Sequence, residues 1–175
     1  MSELTLISKK VCMLGDFAVG KTSLVRRFVH NLFDDKYLST IGVKVSRKTI
    51  TILRKGQLIE LSMLLWDLAG SEEFDRVKAN YLRGASGAIL VCDLTRLETL
   101  ENLDQYANGF FKNMPDTKLI LAANKSDLTD ERQVTESQIV DVANTFGIPY
   151  YLTSAKTGND VEQLFRHLGH LLVNE

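Results

Sequence analysis

No apolar run in this sequence is long enough to cross a bilayer. The segment Met1 to Ser8 has neither a basic n-region nor a cleavage site, so no signal peptide is expected. Charge of one sign is missing too: the formal net charge is −1, without the basic excess of a general nucleic-acid binder, so no nucleic-acid partner is expected. Cysteine is scarce. Cys12 and Cys92 each sit inside an apolar run, which reads as two small core residues rather than a disulfide or a metal site and fits a reducing, cytoplasmic setting. His30, His167 and His170 join no cysteine or carboxylate pattern and read as helix surface or core edge. Internal repeats, low-complexity tracts and linkers are absent. What remains is 175 residues, 45% hydrophobic and 25% charged, which suits one domain spanning residues 1–175 with a sizeable core.

Within that ordinary composition one stretch stands out: Gly15-Asp16-Phe17-Ala18-Val19-Gly20-Lys21-Thr22, of the form G-x-x-x-x-G-K-[ST]. It follows the apolar run Val11–Leu14, read as a buried strand, and opens a helical stretch from Thr22 to His30. Strand, glycine loop and helix in that order form a phosphate cradle. The glycines let successive N–H groups face one point, and the helix N-terminus adds its partial positive charge there. Lys21 can reach the β- and γ-phosphates, and the Thr22 hydroxyl can ligate Mg²⁺.

Further apolar runs, Leu61–Trp66, Ala88–Cys92, Leu119–Ala123 and Pro149–Leu152, alternate with helical patterns, which predicts a doubly wound α/β sheet of mostly parallel strands. Val43–Leu53 and Leu58–Trp66, joined by Arg54-Lys55-Gly56-Gln57, predict a hairpin and hence one antiparallel edge strand. Thr95-x-x-Glu98, Thr135-x-x-Gln138 and Asn159-x-x-Glu162 have capping-box form. The helix after Thr135 is expected to bury Ile139, Val142, Ala143 and Phe146 and to stop at Gly147. The last, from about Val161 to Val173, places Val161, Leu164, Phe165, Leu168 and Leu172 on one face. Asn31–Gly42 and Ala69–Asn80 fit neither pattern, and each follows a candidate phosphate-binding element.

Three more clusters fall at strand tips, where open α/β sheets bind ligands. Asp67-Leu68-Ala69-Gly70 offers a carboxylate for Mg²⁺ and a backbone N–H for a γ-phosphate. In Asn124-Lys125-Ser126-Asp127, the Asp127 carboxylate can accept both the N1–H and the 2-amino hydrogens of guanine. Adenine offers neither, and a buried carboxylate left unpaired discriminates strongly. Asn124 and Lys125 would brace that loop, with the Lys125 stem over the base. In Thr153-Ser154-Ala155-Lys156, the Ala155 N–H can donate to guanine O6. Taken singly, each of these clusters reads as an ordinary turn; their joint order and placement carry the argument.

With those residues in place, the chain resembles a small GTPase of the Ras superfamily over nearly its whole length. Trp66–Gly70, Tyr81-Leu82-Arg83-Gly84-Ala85 and Asn124–Asp127 are most similar to the Rab branch, whose members act in signalling and vesicle traffic. The resemblance implies a P-loop NTPase G domain, a six-stranded sheet flanked by five helices, with GTP/GDP and Mg²⁺ as ligands. It makes Asn31–Gly42 and Ala69–Asn80 the two switch regions. Thr40 matches the threonine that joins Mg²⁺ only when the γ-phosphate is present, Phe33 the aromatic packed edge-on to guanine, and Tyr37 the tyrosine that closes over the phosphates. The implied nucleotide site comprises Gly15 through Ser23, Phe33, Tyr37, Thr40, Gly70, Asn124, Lys125, Asp127, Ser154, Ala155 and Lys156. Lys21, Thr40, Gly70 and Ser71 are the catalytic positions, and Thr22, Thr40 and Asp67 the metal ligands. Effector, exchange-factor and activator proteins are the implied partners, reading the switches and the hairpin face around Ile41–Val45 and an exposed Trp66.

Two departures from the family pattern face the same space. Ser71 stands where the water-orienting glutamine is usual, and a serine is too short to span to the attacking water and has no amide. Phe17 fills a loop position usually held by Gly or Ser, where its ring would crowd an incoming arginine finger. Nucleotide binding with slow intrinsic hydrolysis is therefore expected, unless Glu72, Glu73, Arg76 or a partner supplies the missing function. The alternative is a pseudo-GTPase, a nucleotide-loaded interaction module; an ATP-using P-loop enzyme is disfavoured by Asp127. The sequence stops at Val173-Asn174-Glu175 without the prenylated cysteines of Rab tails. Either a tail has been removed, which would allow peripheral membrane association, or the natural protein has no lipid anchor.

Overall fold

The first strand sets the frame. β1 (Thr5–Leu14) pairs in parallel with β3 on one side and β4 on the other, at the centre of a six-stranded sheet ordered β2-β3-β1-β4-β5-β6. The computed structural model describes residues 4–69 and 75–174, side chains at 75–78 excepted. Its remaining strands are β2 (Val43–Arg54), β3 (Gln57–Leu68), β4 (Gly87–Asp93), β5 (Lys118–Asn124) and β6 (Tyr150–Leu152). β2 and β3 are antiparallel and every other neighbouring pair is parallel, as the sequence pattern predicts. The hairpin turn is tighter than the four-residue link suggests. Lys55 (φ 47) and Gly56 (φ 80) both adopt positive φ, the type I′ geometry that matches strand twist, and the strands run right up to them.

The helices are α1 (Lys21–His30), α2 (Asp75–Leu82), α3 (Leu97–Glu101), α4 (Leu103–Asn113), α5 (Glu136–Phe146) and α6 (Val161–Val173). α3 and α4 run on through Asn102, which keeps helical dihedrals, so among the described residues five helical bodies flank the sheet. α1 and α6 cover one face, where Phe28 and Phe165 stack at 4.1 Å over Leu61, Met63 and Leu65. Leu82 of α2, Leu103 and Phe110 of α4 and Ile139 of α5 pack on the other, against Leu90 and Leu121. β4 is buried along its whole length, which explains its uninterrupted apolar sequence.

Of the three capping boxes only one forms. Thr135 accepts from the Gln138 amide N–H while the Gln138 side chain accepts from the Thr135 N–H, and Gly147 (φ 63) ends α5 as expected. Thr95 is not a cap: α3 begins after Arg96, because the Thr95 hydroxyl and N–H both donate to Asp93 Oδ1. Asn159 is not a cap either; α6 begins after Asp160, and Asn159 Nδ2 donates to the Leu152 carbonyl. Val142 and Phe146 are half-buried, whereas Ile139 and Ala143 are fully inside.

Candidate nucleotide site

All the candidate clusters that can be placed lie at the C-terminal ends of β1, β3, β5 and β6, around one cleft of about 320 Å³. The loop after β1 is shaped by Gly15 (φ 151) and Gly20 (φ 103). At Gly20 a Cβ would run into Asn124 Nδ2, so any side chain there would have to displace that amide from the Val19 carbonyl. The Lys21 ammonium donates to the carbonyls of Gly15 (2.7 Å) and Asp16 (2.9 Å), which holds it across the loop. Phe17, Ala18, Val19, Gly20, Lys21, Thr22 and Ser23 all line the cleft. Gly15 lies beneath it, and Asp16 does not turn its side chain inward. The Asp16 carboxylate accepts from Asn102 Nδ2 (2.7 Å) and the Tyr106 hydroxyl (3.0 Å), so it ties the loop to α4 rather than facing a ligand.

Three oxygens meet at one end of the cleft. Thr22 Oγ1 lies 2.6 Å from Thr40 Oγ1 and donates to Asp67 Oδ2 at 2.5 Å. They come from the start of α1, from the 31–42 segment and from the tip of β3. Asp67 is 2% exposed, and its Oδ1 is a buried acceptor without a hydrogen-bond partner among the described residues. Burial pushes its carboxyl above the ordinary value, and the Thr22 hydroxyl with the charges of Lys21 and Lys44 pulls it part of the way back. Hard oxygen donors around a carboxylate with an open lone pair suit a Mg²⁺ ion, so the residues fit that metal. Gly70 and Ser71, with Glu72 and Glu73, lie outside the described residues.

The 124–127 and 153–156 loops form a braced platform at the other end. Asn124 Nδ2 donates to the Val19 carbonyl (3.1 Å), while Asn124 Oδ1 accepts from the Thr153 hydroxyl (3.1 Å) and the Ala155 N–H (3.3 Å). Lys125, in the left-handed region at φ 69, sends its ammonium to the Ala18 carbonyl (3.0 Å) and Asp93 Oδ2 (2.7 Å), which leaves its stem along the cleft wall. Ser154 is fully buried and donates to Asp127 Oδ1 at 2.7 Å, so it aims the carboxylate instead of lining the cleft. Asp127, Ala155 and Lys156 do line it. Phe33 is partly buried against the α1–α6 core and reaches the same wall; Tyr37 and Thr40 stand opposite the phosphate loop. Trp66 is not freely exposed. It is half-buried, with the Lys10 ammonium 3.7 Å from its ring centroid.

Several supporting residues escape a sequence reading. Arg27 of α1 donates through Nε to the Ala155 carbonyl (2.8 Å), through Nη2 to the Lys156 carbonyl (2.6 Å), and through Nη1 to Asn31 Oδ1 (3.0 Å). No local motif announces it. Asp93 takes Lys125, Arg96 and Thr95 together. Burial works against its charge, but the Lys125 and Thr95 hydrogen bonds outweigh it and hold the carboxyl below its ordinary value. Its position at the tip of β4 is a signal of the same kind as that of Asp67 or Asn124. Arg96 carries the network on, donating to the Phe17 carbonyl at 2.7 Å.

The Ras family model matches residues 10–174. The chain is 34% identical over 175 residues to Ras-related protein Rab-27B of Homo sapiens, covering 94% of this chain and 79% of that protein. It is 35% identical over 160 residues to Ras-related protein Rab-13 of Canis lupus familiaris, covering 91% of this chain and 77% of that one.

Proposed function

The chain belongs to the Ras family and is a Rab-like small GTPase; from that premise we propose a guanine-nucleotide switch, one G domain over residues 1–175, whose intrinsic hydrolysis is slow. The observation that carries the switch is the meeting of Thr22, Thr40 and Asp67 oxygens. It joins the start of α1 to the 31–42 segment through the Thr40 hydroxyl, so a ligand at that point acts directly on the segment.

In this reading the loop N–H groups and the Lys21 ammonium hold the β- and γ-phosphates, while Asp127 accepts from the guanine N1–H and 2-amino group and Ala155 N–H donates to O6. Thr22, Thr40 and Asp67 would hold Mg²⁺, which when bound neutralises charge on the β- and γ-phosphate oxygens. Thr40 and the Gly70 N–H respond to the γ-phosphate, and effectors, exchange factors and activators bind the two switch regions. The location is cytoplasmic, with peripheral membrane association where a natural tail carries lipid.

Slow turnover follows from Ser71. A hydroxyl on one methylene cannot hold the attacking water as an amide can, so the chemical step suffers while nucleotide affinity does not. Single-turnover GTP cleavage tests this. Ser71→Gln is expected to raise the rate by a factor on the order of 10², the usual worth of one preorganised hydrogen-bonding group, with GDP affinity unchanged. An unchanged rate, with the native chain already as fast as glutamine-bearing relatives, would overturn it. The second reading, a nucleotide-loaded interaction module, draws on Phe17 at the cleft rim; it gains if neither Ser71→Gln nor cell extract brings on GTP cleavage.

A further inference from the structure

The 31–42 segment is held at few points. Its ends are tied, Asn31 to Arg27 and the Gly42 carbonyl to the Ala69 N–H; between them Phe33 packs on the core, Asp35 faces Lys156 at 3.9 Å with both side chains well exposed, and Thr40 meets Thr22. Between Phe33 and Thr40 one further contact stands out. The rings of Tyr37 and Phe17 lie edge to face, with centroids 5.3 Å apart and planes at 76°. This is the arrangement that aromatic quadrupoles favour. Both residues line the cleft, and both are about half exposed, so packing on the core fixes neither ring.

One partner is nonetheless anchored. The Phe17 carbonyl is gripped by Arg96, which is itself paired with buried Asp93. The preceding residue, Asp16, is fixed by Asn102 and Tyr106. The backbone is therefore pinned on both sides of Phe17, and the ring is presented outward from a rigid base. Tyr37 sits on the thinly held segment and is the partner that can leave.

We propose that Phe17 is a positioning residue that clasps Tyr37 and keeps the 31–42 segment closed over the cleft independently of the γ-phosphate. The proposal rests on the guanine-nucleotide reading above and deepens it. The Thr40 contact joins the segment to the metal corner, whereas the ring pair is made of protein alone and persists with either nucleotide. Two consequences follow: GDP leaves slowly, and the segment in the GDP state stays nearer to its GTP arrangement than the loss of the Thr40 hold alone would leave it. The same ring occupies the rim through which a partner's arginine would have to enter, so closure and exclusion are one device.

Release of N-methylanthraniloyl-GDP from the full chain tests this. An edge-to-face pair corresponds to about a 2- to 12-fold change in an equilibrium. Phe17→Ser is expected to speed release by that factor, Phe17→Tyr to restore the native rate, and Phe17→Leu, which has bulk without a quadrupole, to stay fast. In a Tyr37→Ala background Phe17→Ser is expected to change nothing further. An equal effect of Phe17→Ser in both backgrounds, or none in the native chain, would overturn the clasp. A prior titration with the same GDP analogue separates the two levels: no binding at all defeats the guanine reading itself, whereas tight binding with an unaltered release rate defeats only the clasp.

Discussion

The two ends of the cleft are built differently. The 124–127 end is a platform in which Asn124 binds Ala155, Ser154 binds Asp127, and Asn124 and Lys125 both reach carbonyls of the phosphate loop, through hydrogen bonds of 2.7–3.3 Å. The 31–42 end is a strap. From Asp34 to Ser39 every residue is exposed; between Phe33 on the core and Gly42, whose carbonyl accepts from the Ala69 N–H, the holds among the described residues are a ring pair, one long ion pair and a hydroxyl contact. On the proposed reading, rigidity would lie where the ligand is identified and slackness where its phosphorylation state is sensed, the division a switch needs, because only weakly held segments can be moved by one ligand group.

The contrast can be broken most severely at Asp127. Replacing it by Asn is expected to lower GDP affinity by about 10²- to 10⁴-fold, as two hydrogen bonds to a charged acceptor at about 1.5–3 kcal/mol each imply. Binding should shift toward xanthine nucleotides, as a competition titration would read. Retained guanine preference would mean that another group reads the base. A smaller effect is expected at Arg27, whose fork holds the platform from below. Arg27→Ala should cost about 2 kcal/mol and lower Tm by roughly 4–8 °C, and Arg27→Lys should recover little because a point charge cannot reproduce the fork. The least effect on stability is expected on the strap. Thr40→Val should shift Tm by no more than about 2–4 °C, the worth of one partly exposed hydrogen bond, and leave GDP release within about twofold, while the preference for GTP over GDP is lost. A Thr40 variant that unfolds the protein or releases GDP would show the strap to be structural and erase the comparison.

What could be read from the sequence follows the same division between local and distant causes. The phosphate loop, Asp67, Asn124–Asp127 and Ser154–Lys156 are contiguous motifs at strand ends, so spacing alone places them. The hairpin is legible because Lys55-Gly56 is local chemistry. Arg27 and Arg96 are not legible, because their partners lie 128 and 79 residues away. Thr95 and Asn159 depart from the cap pattern for a nearer reason: each has the right neighbours for a cap, but a competing acceptor close by in the chain, Asp93 for Thr95 and the Leu152 carbonyl for Asn159, takes the side chain from the helix end. The side chain of Asp16 belongs to α4 for the distant kind of reason that governs Arg27 and Arg96, and the exposure of Trp66 depends on a lysine 56 positions away that lies over its ring. The Oδ1 of Asp67, unpartnered among the described residues and the reason the oxygen cluster suits a cation, exists only once β3 is buried.

Gly20 carries a consequence for the way this site measures its ligand. With no room for even one carbon between it and Asn124, and with Asn124 and Lys125 each hooked to a loop carbonyl, the span between the 124–127 loop and the phosphate loop is fixed before anything binds. On the proposed guanine-nucleotide reading, the protein works as a caliper with a set gauge. A nucleotide must supply the correct base and the correct phosphates at one preset interval, so a guanosine stretched or shortened by a single linking atom should be refused at one jaw or the other.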